Sequence, residues 1–124
     1  MSLEEKIIDC VNSYIDSLEL GDIEAILGLY DDDCWIEDPV GTERKVGKVA
    51  LREFYQLGMD MKAKCRLESE VRIAGNEAAF AFSMEINTND GIFVVRPIDV
   101  MCFNGEGKIT SMRSFWGATN QFIK

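Results

Sequence analysis

From residue 63 onward the chain is cut by three turn clusters, Ala74-Gly75-Asn76-Glu77, Asn89-Asp90-Gly91 and Asn104-Gly105-Glu106-Gly107. Apolar side chains between them alternate as strands require, which predicts strands at about 64–73, 77–87, 91–103 and 108–117. The first half reads differently. Ser2 and Glu5 form a capping box, and Leu3, Ile7, Val11, Tyr14, Ile15 and Leu18 then recur on one helical face as far as Leu20-Gly21. Asp22 can cap a short second helix with Ile23, Ile26, Leu27 and Tyr30 inward, closed by a solvated loop at Asp31-Asp32-Asp33. After an apolar piece, Cys34-Trp35-Ile36, Pro39 holds Asp38 extended. A third helix is expected from about Lys48 to Gly58, with Leu51, Phe54, Tyr55 and Gly58 inward. Helices followed by a strand meander predict an α+β fold, a curved, mainly antiparallel sheet wrapped around three helices.

With 124 residues, 47% of them hydrophobic, the chain reads as one domain, large enough to bury roughly two-thirds of its unfolded surface. Twenty-two acidic residues against 13 basic ones make the surface repel phosphate backbones and anionic lipid, which argues against nucleic acid and membrane partners. No apolar stretch approaches a bilayer span, and Met1-Ser2-Leu3-Glu4-Glu5 is unlike a signal peptide, so a cytoplasmic protein is expected. Cys10, Cys34, Cys65 and Cys102 lack the close spacing of zinc or redox motifs and read as free thiols. There is no histidine. Imidazole bases, serine and cysteine triads and the usual zinc sites are therefore excluded, and proton transfer falls to a carboxylate, tyrosine, lysine or thiol.

Asp99 interrupts the apolar run Val94–Phe103. Alternation sets it with Phe93, Val95, Pro97, Met101 and Phe103, while Arg96 belongs to the opposite face with Ile92, Val94, Ile98, Val100 and Cys102. A carboxyl buried there without a cation keeps its proton and becomes a donor. Tyr14, Tyr30 and Tyr55 all fall on inner faces and can form one hydroxyl chain, although plain packing would explain each. Asp38, beside Glu37 but pointing away from it, is a candidate free base; a turn-forming Asp before Pro is the ordinary alternative. Trp116, Met112, Phe80 and Phe82 could line an apolar wall. Two neutral donors, one carboxylate base and an apolar wall suit proton abstraction next to a carbonyl, where neutral donors stabilise the developing oxyanion at small desolvation cost.

Tyr14 in "VNSYIDSLELGDIEAI", Asp38 in "IEDPVG", Tyr55 in "REFY", "NEAAFAF" and Asp99 in "PIDVMCFNGEGKI" resemble bacterial ketosteroid isomerase, in order, from about Val11 to Asn120. The resemblance implies a cystatin-like or nuclear-transport-factor-like cone, usually a homodimer, that moves the double bond of 5-ene-3-oxosteroids into conjugation without any cofactor or metal. It also implies roles: Asp38 as the proton-carrying base, Tyr14 and Asp99 as donors to the dienolate oxygen, Tyr30 and Tyr55 as support for Tyr14. Phe54, Phe82, Met84, Val100, Met112 and Trp116 match the steroid-binding wall. The family is itself the standard example of a carboxylic acid kept neutral so that it can donate. Cys102 and the stretch 59–62 depart from the family pattern, leaving the preferred steroid open. A non-catalytic module binding a steroid or another small apolar ligand is the alternative on the same scaffold. Dehydratases or polyketide cyclases of the same scaffold generally use histidine with an acid, and its absence counts against them.

Overall fold

A computed structural model describes residues 1–59 and 62–124. Residues 60 and 61, within the divergent stretch 59–62, lie outside that description. Helix α1, Leu3–Leu20, begins at the expected capping box, with the Ser2 hydroxyl accepting from Glu5 N–H and the Glu5 carboxylate accepting from Ser2 N–H. It ends at Gly21, whose φ of 70° is the left-handed conformation that suits glycine. Asp22 caps α2, Ile23–Gly28, by accepting from Ala25 N–H at 3.0 Å. The third helix, α3, spans Gly47–Met59.

Tyr30 is a correction to the sequence reading. It opens strand β1, Tyr30–Glu37, rather than closing the inner stripe of α2, and Asp31–Asp33 belong to that strand rather than to a loop. The cause is tertiary: β1 pairs in parallel with β8, Tyr30 opposite Ile109, with a register shift before Trp35 opposite Ser111. Helical spacing cannot anticipate a partner so far downstream.

The remaining strands are β2, Lys45–Val46; β3, Ala63–Leu67; β4, Arg72–Ala74; β5, Glu77–Thr88; β6, Gly91–Val95; β7, Ile98–Phe103; β8, Ile109–Phe115; and β9, Gln121–Ile123. The sheet runs β2-β1-β8-β7-β5-β6-β9, with β3 and β4 both paired to β5. Two strands expected to be continuous are therefore split. The lower half of β5 pairs β7, from Glu77 with Cys102 to Ala81 with Ile98, and its upper half pairs β6, from Met84 with Val95 to Thr88 with Gly91. Between β6 and β7 stand Arg96 and Pro97, and proline has no N–H for the ladder; its carbonyl instead accepts from Phe82 N–H at 3.2 Å. The expected 64–73 strand divides in the same way, β3 following the upper half of β5 and β4 the lower. Arg96 pairs with Glu68 in the gap through both Nε and Nη2.

The helices pack into the sheet's concave face around Ile7, Val11, Ile26, Ile36, Leu51 and Met101, each with 0% exposure. All four cysteines are free. Met101 is the inward residue next after Asp99 on β7 and is fully buried in the core. Replacing it with Ala costs about 2–5 kcal/mol of stability, the range for truncating a buried Met, measurable as a lower urea midpoint with unchanged slope.

Candidate active site

A cavity of about 330 Å³ opens between α1, α3 and the concave face of the sheet. Its volume falls in the range of small-molecule sites. Tyr14 and Leu18 enter from α1, Phe54, Tyr55, Leu57 and Gly58 from α3, and Ala63 from β3. The sheet contributes Phe82, Met84, Val95, Pro97, Asp99 and Ser114, and the edge is closed by Asp38 and Trp116. All three expected catalytic residues, Tyr14, Asp38 and Asp99, thus converge on one largely apolar hollow.

Asp99 is 1% exposed, and among the described residues its Oδ1 has no hydrogen-bond partner. Arg96, the nearest cation in sequence, is on the other face and engaged with Glu68. Burial pushes the Asp99 carboxyl well above its ordinary range, the Ser114 hydroxyl opposes the shift, and the charge of Asp38 adds to it. That direction favours the protonated form, which is a hydrogen-bond donor.

The tyrosines form the chain that their inner-face spacing allowed. Tyr55 OH lies 3.0 Å from Tyr14 OH and 2.7 Å from Tyr30 OH, so the residue on α3 joins a helix to a strand. All three phenols are raised well above their usual value, chiefly by burial. Each remains protonated at neutral pH, and Tyr14 is the member that reaches the cavity together with Tyr55.

Asp38 follows β1, and β8 grips the segment around it. Glu37 pairs outward with Arg113 Nε at 2.9 Å, and Val40 N–H donates to the Ser114 carbonyl at 2.8 Å. The Asp38–Pro39 peptide is cis. Trp116 Nε1–H donates to Asp38 Oδ1 at 2.8 Å. Burial raises the Asp38 carboxyl, while the Trp116 indole, the Lys45 charge and the Ser114 hydroxyl favour its ionised form. Trp116 was expected as a wall; it is also a hydrogen-bond donor to the candidate base.

Phe54, Phe82 and Met84 line the hollow as expected. Val100 and Met112 do not. Strand alternation turns Val100 away from Asp99, opposite Arg113 on the outer face, and Met112 is sealed in the core with 0% exposure. Phe80 is also core, its ring tilted against that of Phe82 with centroids 5.8 Å apart. Ser114, Leu18 and Leu57 were missed, and in "TSMRSF" nothing marks one serine above the other. Among the described residues there is no cluster of three His, Cys, Asp or Glu fit to hold a metal ion, and no helix is long and apolar enough to cross a membrane.

This α+β cone is the fold of the SnoaL-like domain family, whose model matches residues 11–112, and the chain belongs to that family. Within that class it is 41% identical, over 99% of its length and 98% of the relative's, to a Steroid Delta-isomerase of Nocardioides simplex. Among solved structures it superposes with a TM-score of 0.90 on SalBIII, described as an epoxide hydrolase/cyclase-like enzyme with a role in pyran ring formation in polyether salinomycin. The two are 28% identical, with 98% of each chain covered.

Asp99 also leaves a trace in stability. Its folded pKa lies above its unfolded value, so above the unfolded value the unfolded chain binds fewer protons and stability falls as pH rises toward the folded pKa. Asp99→Asn removes that slope. Its melting temperature relative to wild type is expected to improve from about pH 4 to about pH 8, and a protonated carboxyl band present in wild type near neutrality should be missing from its infrared spectrum.

Proposed function

We propose that the chain, acting as a single domain, is a steroid Δ-isomerase that converts 5-ene-3-oxosteroids to 4-ene-3-oxosteroids without a cofactor. The observation that carries this reading is the meeting of one part-buried carboxylate, Asp38, with two neutral donors, Tyr14 and Asp99, in a single apolar cavity. The steroid itself is suggested by the relative from Nocardioides simplex.

Asp38 takes the proton from the carbon between the carbonyl and the double bond. The C–H electron pair moves into the ring system and negative charge gathers on the carbonyl oxygen, giving a dienolate. Tyr14 and Asp99 donate to that oxygen, and because both are fixed in a water-poor hollow they stabilise it without having to reorganise. Asp38 then returns the same proton to the far end of the dienolate, so the double bond moves and no redox change occurs. Tyr55 and Tyr30 hold Tyr14 in place through the hydroxyl chain. Phe54, Phe82 and Met84 contact the flat hydrocarbon, and Trp116 both walls the cavity and orients the base.

Neutral donors suit this chemistry better than a lysine or arginine would. A permanent cation carried into an apolar cavity of this kind would lose much of its solvation, whereas a phenol and a carboxylic acid lose little. We also infer a homodimer. Ile98 and Phe115 are cross-strand partners on the outer sheet face, 48% and 42% exposed, an apolar surface that a second copy would cover.

The test is the appearance of conjugated-enone ultraviolet absorbance when purified protein is mixed with androst-5-ene-dione. Asp38→Asn is expected to abolish most turnover and Asp99→Ala to lower kcat about a hundredfold, the scale for one oxyanion donor. Normal turnover in the Asp38 variant would remove it as the base, and steroid binding with no turnover by the wild type would favour the non-catalytic module. Trp116→Phe removes a donor that favours the ionised base, so the acid limb of its kcat/KM profile should move to higher pH.

A further inference from the structure

Ser114 stands between the two carboxyls. On β8 it is directly across the ladder from Asp99, it is 2% exposed, and it lines the cavity. Trp116, two residues on, holds Asp38 Oδ1, while the backbone carbonyl of Ser114 itself receives the N–H of Val40. One serine thus faces the acid through strand register and the base through the segment it anchors. A buried hydroxyl wants a partner, and both Asp99, across the ladder, and Asp38 line the same hollow as Ser114.

Resting on the isomerase reading, we propose that Ser114 is a positioning residue whose single hydroxyl hydrogen is shared between Asp38 and Asp99, following the charge as the reaction proceeds. A serine hydroxyl has one hydrogen, can rotate, and donates to one acceptor at a time. Before proton abstraction Asp38 is ionised and is the stronger acceptor. Once Asp38 has taken the substrate proton it is neutral, and the hydroxyl turns to the unprotonated oxygen of Asp99. A hydrogen bond received there favours negative charge on Asp99, which makes it a better donor to the dienolate oxygen at the moment that oxygen needs one. The Ser114 hydrogen stays on Oγ throughout, and no bond to the serine forms or breaks. In agreement, the hydroxyl favours the ionised form of both carboxyls.

The other titratable groups coupled to these carboxyls are Tyr14 from α1, Tyr30 from β1, Tyr55 from α3 and Lys45 on β2, whose charge reaches Asp38. Their contributions persist in a variant that removes only the Ser114 hydroxyl.

Ser114→Ala and Ser114→Thr separate this role from packing. Alanine is expected to lower kcat about tenfold, the scale of one net hydrogen bond, with KM little changed. The acid limb of its kcat/KM profile moves to higher pH, and Thr, which keeps the hydroxyl and suits a strand, restores both. If alanine does not fold, Ser114→Cys, close in shape but a weak donor, takes its part in the comparison. A second readout needs no turnover: in protein carrying ¹³C-labelled aspartate, the carboxyl titrations of Asp38 and Asp99 both move upward when the hydroxyl is removed. A folded hydroxyl-free variant with wild-type kcat and unmoved titrations overturns the proposal, as does a folded Ser114→Thr that loses as much as alanine. Retained turnover in Asp38→Asn would instead overturn the isomerase reading, and the labelled titrations would still decide whether Ser114 serves both carboxyls.

Discussion

Desolvation of a single carboxyl organises the centre of this molecule. Asp99 sits among apolar neighbours, with one oxygen unpartnered among the described residues. Keeping it charged there would cost several kcal/mol, an amount comparable with the whole stability of a domain this size. Remaining protonated avoids most of that cost. The protonated form is a donor rather than an acceptor, and among the described residues that line the hollow there is no lysine or arginine.

The rest of the fold supplies what a neutral acid needs beside it. Tyr55 links α1 to β1 through two phenols, so Tyr14 is held by a hydroxyl network spanning helix and sheet. β8 does the corresponding work for the base, through the Glu37–Arg113 pair, the Val40–Ser114 bond and the Trp116 indole. Asp38 is on an irregular segment, yet its neighbours are tied to a central strand. For the proton transfer proposed for Asp38 such a tether matters, because misplacement costs rate steeply.

Much of this was legible in the residues. The capping box marks where α1 begins, and alternation alone sets Asp99 and Arg96 on opposite faces of their strand, leaving open which face is inward. Alternation also turned Val100 away from Asp99, and on that residue it was a better guide than family resemblance. What could not be read depends on long-range pairing. Tyr30 lies at a spacing from Ile26 and Leu27 that suits a helix, and only its ladder with Ile109 makes it a strand residue. The breaks at Pro97 and between β3 and β4 reflect a β5 strand that serves different partners along its length. Ser114 carries no local signal, since its meaning comes from standing opposite Asp99.

Neighbouring residues of α3 make unequal demands on sequence. Tyr55 is locked into the hydroxyl chain, but Leu57, 81% exposed, touches only the mouth of the hollow. Substitutions at that mouth can therefore drift with little penalty to folding or to Asp38 and Asp99 beneath, changing which molecules the hollow admits. Selection for a new substrate would find its easiest footholds there.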